Sequence, residues 1–549
     1  MNEKISNKRW AAIFVLSWIA FNLLLCAYTD LAEDEAYYWL FAKYLDWGYF
    51  DHPPMIALMI RAGGMFFSNE LGVRFFTAVF SGLTLYVLFV ITEFKNVKLF
   101  FLLFLTAPAF HAFGFISAPD VPLMFFGALY ILCFKRFVED NTLKNALLLG
   151  VVASLMMYSK YHGILLILFT LLPNITLLKR LNFWLMTLVA LLLFLPHIFW
   201  QIANDYPSLR YHLVDRVNRP YEFNFTLQYF LGQLGLCGPV LFILFFASLR
   251  KSVTSFYETM KYTALAIFAF FFLFSFRTFI EANWGAIAFV PVLLYVHSAL
   301  QDVVAKVWKT FSYIVVFILV ALRVALVFPN EFLRLSITKQ FYHDSEFYPK
   351  VKALAGDLPV VFMNTYQKPS KYYFYYNVPS FSLNSFWYRR NQFDKWPIQK
   401  DLQGKAVLVV ATDNFDGAQK LSAKYSDIYF ARHSNFKSYG YLELSANKKK
   451  FQIEAGEMFR DSLFVKNIWD HDLVSDSASV EIGVVLRGEG AETLYSVACV
   501  HANELVTGKQ IPFELPVLLE KGEYTVLFGV HDKFCSTLWN SPIYPLTVK

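Results

Sequence analysis

Cysteine is scarce in this sequence, with five residues in a chain of 549. No two stand in CxxC spacing, which argues against a zinc-thiolate site of the ribbon or finger kind. Three further absences narrow the chemistry. There is no GxxxxGK[ST] phosphate loop, no HExxH pair and no GxGxxG after a strand, which removes support for ATP-driven transport, zinc proteolysis and dinucleotide chemistry. Charged residues are thin, at 17% of the chain. The net charge is +7, but the basic residues are scattered between apolar runs and form no stripe interleaved with exposed aromatics. Nucleic acid is therefore not expected as a partner. There is no internal repeat or low-complexity tract.

What is abundant is apolar surface. Hydrophobic residues make up 57% of the chain and aromatics 19%, too much for an ordinary soluble protein. They are concentrated in serial runs that approach the length of a bilayer crossing. These runs are 10–28, 71–92, 99–116, 121–134, 146–158, 163–178, 183–200, 229–249, 262–280, 284–300 and 310–328. The fold class expected is an α-helical polytopic membrane protein with about eleven spans. The first run follows Lys4, Lys8 and Arg9 but is longer than a signal-peptide core, so it is expected to remain as a transmembrane helix. The cut at "YSKYHG" follows from the cost of placing Lys160 and His162 in lipid. Cys26, Cys133 and Cys237 fall in apolar segments, as core fillers.

Charge then assigns sidedness. With a cytoplasmic N-terminus, every inner turn, from "TEFKNVK" to "QDVVAKVWK", carries Lys or Arg, as the positive-inside rule requires. The opposite side receives loops 29–70 and 201–228, "ISAPD", "SKYHG", "EANW" and everything beyond 330. One parity therefore gathers nearly all the acidic and histidine-containing motifs on one face. Three domains are expected: a transmembrane domain over 1–329, a soluble α/β domain over 330–448 and a β-rich, sandwich-like domain over 449–549. Within the second, "PVVFMN", "AVLVVAT" and "DIYFAR" read as buried strands, with helices over 368–376 and 416–424. Cys499 and Cys535 are the candidates for a disulfide if this region is exported.

The candidate site residues each have two readings. Glu33, Asp34 and Glu35 are consecutive, so a helix spreads them about 100° apart; they either complement a helix start or supply a general base. In "FDHPP", the residue before proline is driven extended, so Asp51 and His52 stand on a stiff corner. Asp51 is then an N-cap, or the two contact phosphate or a divalent metal. Asp120 begins a helix in "APDVPL", where capping suffices. Lys160 and His162 face a polar cavity or a lipid headgroup. Arg210, His212, Arg216 and Arg219 make one loop basic, and His212 and Arg216 would share a helical face; arginine forks suit phosphate oxygens. Arg277 and Glu281 would form a structural i,i+4 pair if helical. Trp284 is an interfacial anchor or a platform for a sugar.

The ordered set "EDEAYYW", "YFDHPPM", "APDVPL", "SKYHG", the basic-histidine loop and "EANWGA" resembles the C-type (GT-C) polytopic membrane glycosyltransferases. Within them it resembles the bacterial branch related to protein O-mannosyltransferases and lipid A aminoarabinose transferases. The segment "NTYQKPSKYYFYYNVPSFSLNSFWYRRNQFD" is similar to the extracytoplasmic part of bacterial members and adds Arg389 and Arg390 to the substrate-binding candidates. The resemblance implies an inverting transferase of the bacterial cytoplasmic membrane. It would move a sugar from a polyprenyl-phosphate donor to a hydroxyl of a lipid A, another glycolipid, a polysaccharide or a protein, on the outer face. It maps the catalytic carboxylates onto Asp34, Glu35 and Asp51, with Asp34 as base. The donor phosphate and substrate fall to His52, Asp120, Lys160, His162, Arg210, His212, Arg216 and Trp284. Where the aminoarabinose transferases carry lysine, this chain has His52, which leaves three alternatives open: direct phosphate contact, contact through a divalent metal held by Asp51 and His212, or neither. The rival readings are a transporter or flippase of lipid-linked sugars and a lipid-oligosaccharide ligase or polymerase.

Overall fold

A computed structural model describes residues 2–215, 221–300, 306–328, 341, 347–423, 426–468, 479–488, 491–516, 518–532 and 536–549. The chain divides into two compact units, Met1–His343 and Asp344–Lys549.

The first unit is helical because a backbone in lipid must satisfy its own polar groups. Its helices are α1 (Asn2–Tyr28), α2 (Glu33–Lys43), α3 (Met55–Gly63), α4 (Glu70–Ile91), α5 (Val97–Leu105), α6 (Pro108–Phe115), α7 (Asp120–Glu139) and α8 (Leu143–Ser159). They continue as α9 (Gly163–Leu171), α10 (Leu181–Ala203), α11 (Pro207–Arg210), α12 (Phe223–Cys237), α13 (Pro239–Ser248), α14 (Ser255–Phe274), α15 (Phe289–Ala299) and α16 (Lys306–Ala325). Among the described residues, seven helical segments are long and apolar enough to cross a membrane, or nine if each of two bent pairs is one crossing. Two shorter apolar helices, Leu143–Ser159 and Gly163–Lys179, flank the polar turn at Lys160. The protein is a multi-pass membrane protein.

The bent pairs are built by local chemistry. Pro108 lacks an N–H and crowds the preceding turn, and α5 and α6 meet at 80°. Gly238 takes φ +81° before Pro239, and α12 and α13 meet at 100°. The two breaks touch, since a Cβ on Gly238 would fall 2.2 Å from the Thr106 carbonyl oxygen. Orphaned carbonyls at the first break are satisfied inside the protein. Thr106 Oγ1 donates to Leu103 O at 2.7 Å, and His111 Nε2 donates to Leu105 O at 2.8 Å. Buried Arg323 of α16 then lies 3.4 Å from His111 Nδ1 and donates to Asn22 Oδ1 of α1 at 2.5 Å.

The second unit begins with α17 (Phe347–Ala355) and a sheet of β1 (Val360–Met363), β2 (Ser380–Leu383), β3 (Val407–Ala411), β4 (Gln419–Leu421) and β5 (Ile428–His433). Its order is β2-β1-β3-β5-β4. β1 runs parallel to β2 and β3, while β5 is antiparallel to β3 and β4. Helices α18 (Gln367–Tyr376) and α19 (Ile398–Leu402) follow β1 and β2. The expected helix over 416–424 is corrected: Gly417 sits at φ +73°, which ends any helix there, and residues 419–421 add the edge strand β4.

The remaining strands are β6 (Leu442–Ala446), β7 (Phe451–Ile453), β8 (Arg460–Asn467), β9 (Ser479–Gly488), β10 (Ala491–His501), β11 (Gln510–Glu514), β12 (Gly522–Asp532), β13 (Ser536–Thr537) and β14 (Ile543–Val548). They form a sheet ordered β10-β9-β12-β14-β7 and a second ordered β11-β8-β6. Leu463, Val465, Ile511 and Phe513 of the smaller sheet share one buried core with Ile482, Val484, Phe528 and Val530 of the larger, the defining feature of a sandwich. Cys499 is a free, exposed thiol; its expected partner Cys535 lies outside the described residues.

Candidate active site

The site is assembled from the connections around α2. Glu35 in the first turn of α2 is completely buried, as is Arg74 of α4. Arg74 grips both carboxylate oxygens, Nε to Oε1 at 2.7 Å and Nη2 to Oε2 at 2.5 Å. The same oxygens accept from the backbone N–H of Ser117 and of Ala32. The other guanidinium donors go to Thr29 O and Oγ1 and to Asp30 O. A buried charge pair is tolerable only when its hydrogen bonding is saturated in this way. The result pins the start of α2 to α1, α4 and the α6–α7 turn. Asp34, the neighbouring residue, is exposed.

Tyr38 lies one turn beyond Asp34, so the two share a helical face. The Tyr38 hydroxyl is 3.3 Å from His52 Nε2, which places the His52 corner against that face. Asp51 beside it is buried. The corner is clamped from α10 and its following turn: Trp200 Nε1 donates to Asp46 Oδ2 at 2.7 Å, and Ser208 Oγ donates to Tyr49 O at 2.9 Å. His197 Nδ1 bonds Trp47 O at 2.7 Å. That bond leaves His197 Nε2 to accept from the Tyr161 hydroxyl at 3.0 Å. Gly48 is required here, because a Cβ would lie 2.5 Å from the Trp200 ring. Burial pushes the Tyr161 phenol well above its ordinary pKa, so Tyr161 serves as a neutral donor.

His212 continues the cluster. Its Nε2 lies 3.2 Å from the Asp51 carbonyl, and its ring is 6.0 Å from that of Trp284. Trp284 in turn lies 5.1 Å from the His162 ring. Next to Trp284, Asn283 Nδ2 donates to Asp120 Oδ2 at 2.9 Å. Both Asp120 oxygens also accept from Lys160 Nζ, at 2.8 and 2.9 Å. Six motifs spread over 250 residues of chain thus meet through direct contacts, from His52 to Lys160, at about the 5–6 Å spacing of packed rings.

Other candidates stand apart. Arg210 is exposed and forks onto Asp205. Residues Tyr211–Asp215 form a single π-helical turn. Arg216 and Arg219 themselves lie outside the described residues. Residues 277–281 are turn and extended backbone, so the helical spacing assumed for Arg277 and Glu281 is also absent. Arg389 and Arg390 belong to the second unit.

The expected metal pair, Asp51 and His212, meets through a backbone atom. His212 Nε2 faces a backbone carbonyl, and among the described residues no three His, Cys, Asp or Glu side chains are grouped to hold an ion. Arg74, Asn283, Tyr161 and His197 were not singled out from sequence. Arg74 did carry a signal, as a lone cation within the apolar run 71–92. Asn283 sits inside "EANW", beside the residue that drew attention.

Residues 51–200 match the family described as dolichyl-phosphate-mannose-protein mannosyltransferase. The lipid A galacturonosyltransferase of Rhizobium johnstonii is 24% identical over 255 residues, which cover 43% of this chain and 53% of that relative. The chain thus spans about half the length of that curated relative. The structure of ArnT from Cupriavidus metallidurans superposes at TM-score 0.55 and 12% identity, covering 77% of this chain and 98% of that one. The same protein bound to undecaprenyl phosphate gives 0.56 at 12% identity, covering 77% and 97%. The chain is thus a polytopic membrane protein whose residues 51–200 match that mannosyltransferase family and whose fold is similar to that of ArnT.

Proposed function

We propose that this protein transfers a sugar from a polyprenyl-phosphate donor to an acceptor hydroxyl on the outer face of the bacterial cytoplasmic membrane, with its N-terminus inside and its C-terminal unit outside. In one displacement the acceptor oxygen bonds to the anomeric carbon while the bond from that carbon to the phosphate oxygen breaks, so the configuration inverts. The acceptor proton passes to Asp34 and the polyprenyl phosphate leaves with the electron pair. The observation that carries this reading is the contrast between Asp34 and Glu35. Glu35 is saturated by four donors and serves to position, whereas Asp34 is exposed on the face met by His52. Asp51, His52 and His212 shape the site. Lys160, His162 and Trp284 are assigned to the donor phosphate and sugar, with Arg210 and Arg216 of the 201–228 loop as further cations. Lys160 carries two of its three donors to Asp120 and keeps one for a phosphate oxygen. The relative that acts on lipid A makes a glycolipid the first acceptor to try.

The abutting helix breaks support a second reading, transport of a lipid-linked sugar, since transporters build sites from broken helices. Purified protein given labelled polyprenyl-phosphate sugar separates the two. Release of polyprenyl phosphate with labelled acceptor supports transfer; movement of intact donor across a vesicle bilayer without release supports transport.

A further inference from the structure

We propose that the carboxyl edge of β2-β1-β3 in the C-terminal unit is a binding site for a phosphorylated saccharide. The topology creates the position. The chain passes from β1 through α18 to β2 on one side, then through α19 to β3 on the other side of β1. The three strands are parallel, so their carboxyl ends share one edge, and β1 is the point at which the strand order reverses. Open α/β sheets take ligands at such an edge.

The residues at this edge are organised as a rigid presentation of a few side chains. Asn364, directly after β1, takes φ +51°, and its Oδ1 accepts from Ser385 N at 2.9 Å and Ser385 Oγ at 3.0 Å. The loop after β1 is thereby tied to the loop after β2. The second loop is anchored along its length. Phe386 is buried against Val485 and Leu527 of the sandwich, its N–H bonds Thr537 O at 3.0 Å, and Trp539 Nε1 donates to Tyr388 O at 2.8 Å. Past the loop, Asp394 accepts from Asn384 Nδ2 at 2.9 Å and from Asn391 N at 2.8 Å.

Between these anchors stand Trp387, Arg389 and Arg390. Trp387 is 58% exposed although its neighbour Phe386 is buried, which leaves a flat apolar ring in water. The Arg389 guanidinium lies 4.4 Å from the Tyr366 ring centroid, a stack that sets the plane of its fork. Arg390 makes no ion pair among the described residues, and its buried Nε has no hydrogen-bond partner. Asp394 is near enough for the Arg390 charge to oppose the upward push of burial on its carboxyl, yet both of its oxygens are engaged elsewhere. One arginine fork set by an aromatic ring and a second with no ion pair among the described residues suit phosphate oxygens, and the exposed indole of the same loop supplies a stacking face for a pyranose ring. The role of the site rests on the transfer proposed above, for which it would hold a phosphorylated acceptor; the binding itself does not.

The test uses the full chain in detergent and titrates hexosamine 1-phosphate, free hexosamine and inorganic phosphate by calorimetry. The sugar phosphate is expected to bind about tenfold or more tightly than either half alone, with Trp387→Ala and Arg390→Gln each weakening it about tenfold. Micelles of a phosphorylated glycolipid and of its dephosphorylated form make a second arm, and the arm that binds identifies a soluble or lipid source. Trp387→Ala removes an exposed ring, so the variant tests binding without disturbing a core. Wild-type affinity in both variants, phosphate alone competing as well as the sugar phosphate, or no binding in either arm overturns the proposal. Asp34→Asn is expected to bind like wild type, so a failed base assignment and a failed binding site give different results.

Discussion

Among the described residues of the membrane unit, two buried acid–base pairs differ in what their cations can do. Glu35–Arg74 is completely sealed, and its arginine spends its fork on one carboxylate, two backbone carbonyls and a hydroxyl. Nothing is left over. Asp120–Lys160 is nearly as buried, but its lysine is a compact point charge with a third donor beyond the two given to Asp120. Arginine's planar geometry makes the first pair a strut; lysine's freely turning ammonium lets the second share itself with a ligand. On the proposed function, the comparison separates a residue that holds the site in shape from one with a donor to offer substrate.

Breaking the strut should have the largest effect. Arg74→Ala strands the Glu35 carboxylate and is expected to cost about 3–5 kcal/mol, read as a loss of thermal stability of the purified protein, and Arg74→Lys should fail to rescue it. Lys160→Gln keeps one donor toward Asp120 and should lose only about 1.5–3 kcal/mol of stability. The same variant should raise the KM for donor, which a merely structural lysine would not do. Asn283→Ala removes one bond to Asp120 and should cost about 1 kcal/mol, with a small rise in donor KM. Equal stability losses in Arg74→Ala and Lys160→Gln, with donor KM unchanged in the second, would erase the distinction.

Much of the fold was legible because polar residues interrupt apolar runs at the turns. "YSKYHG" divides α8 from α9 on the cost of Lys160 in lipid, and the alternating strands of the last hundred residues do form a sandwich. The bends were not read, although Pro108 and the Gly238–Pro239 pair announce them; runs 99–116 and 229–249 pass as single spans on hydropathy alone. Glu35's role was hidden for a different reason. Its partner lies 39 residues away, and no local pattern links a carboxylate to a distant arginine. Likewise the order of the motifs is visible in sequence, but the contacts from Asp51 to His212 and from Trp284 to His162 depend on how α10, α12 and the 282–288 segment pack.

The most direct test of the account is donor turnover by Asp34→Asn protein, with thermal stability measured on the same sample. The substitution is nearly isosteric at an exposed position, so stability should match wild type while transfer falls about 10²- to 10⁴-fold, the usual contribution of a general base. Near-normal transfer by stably folded Asp34→Asn would contradict it.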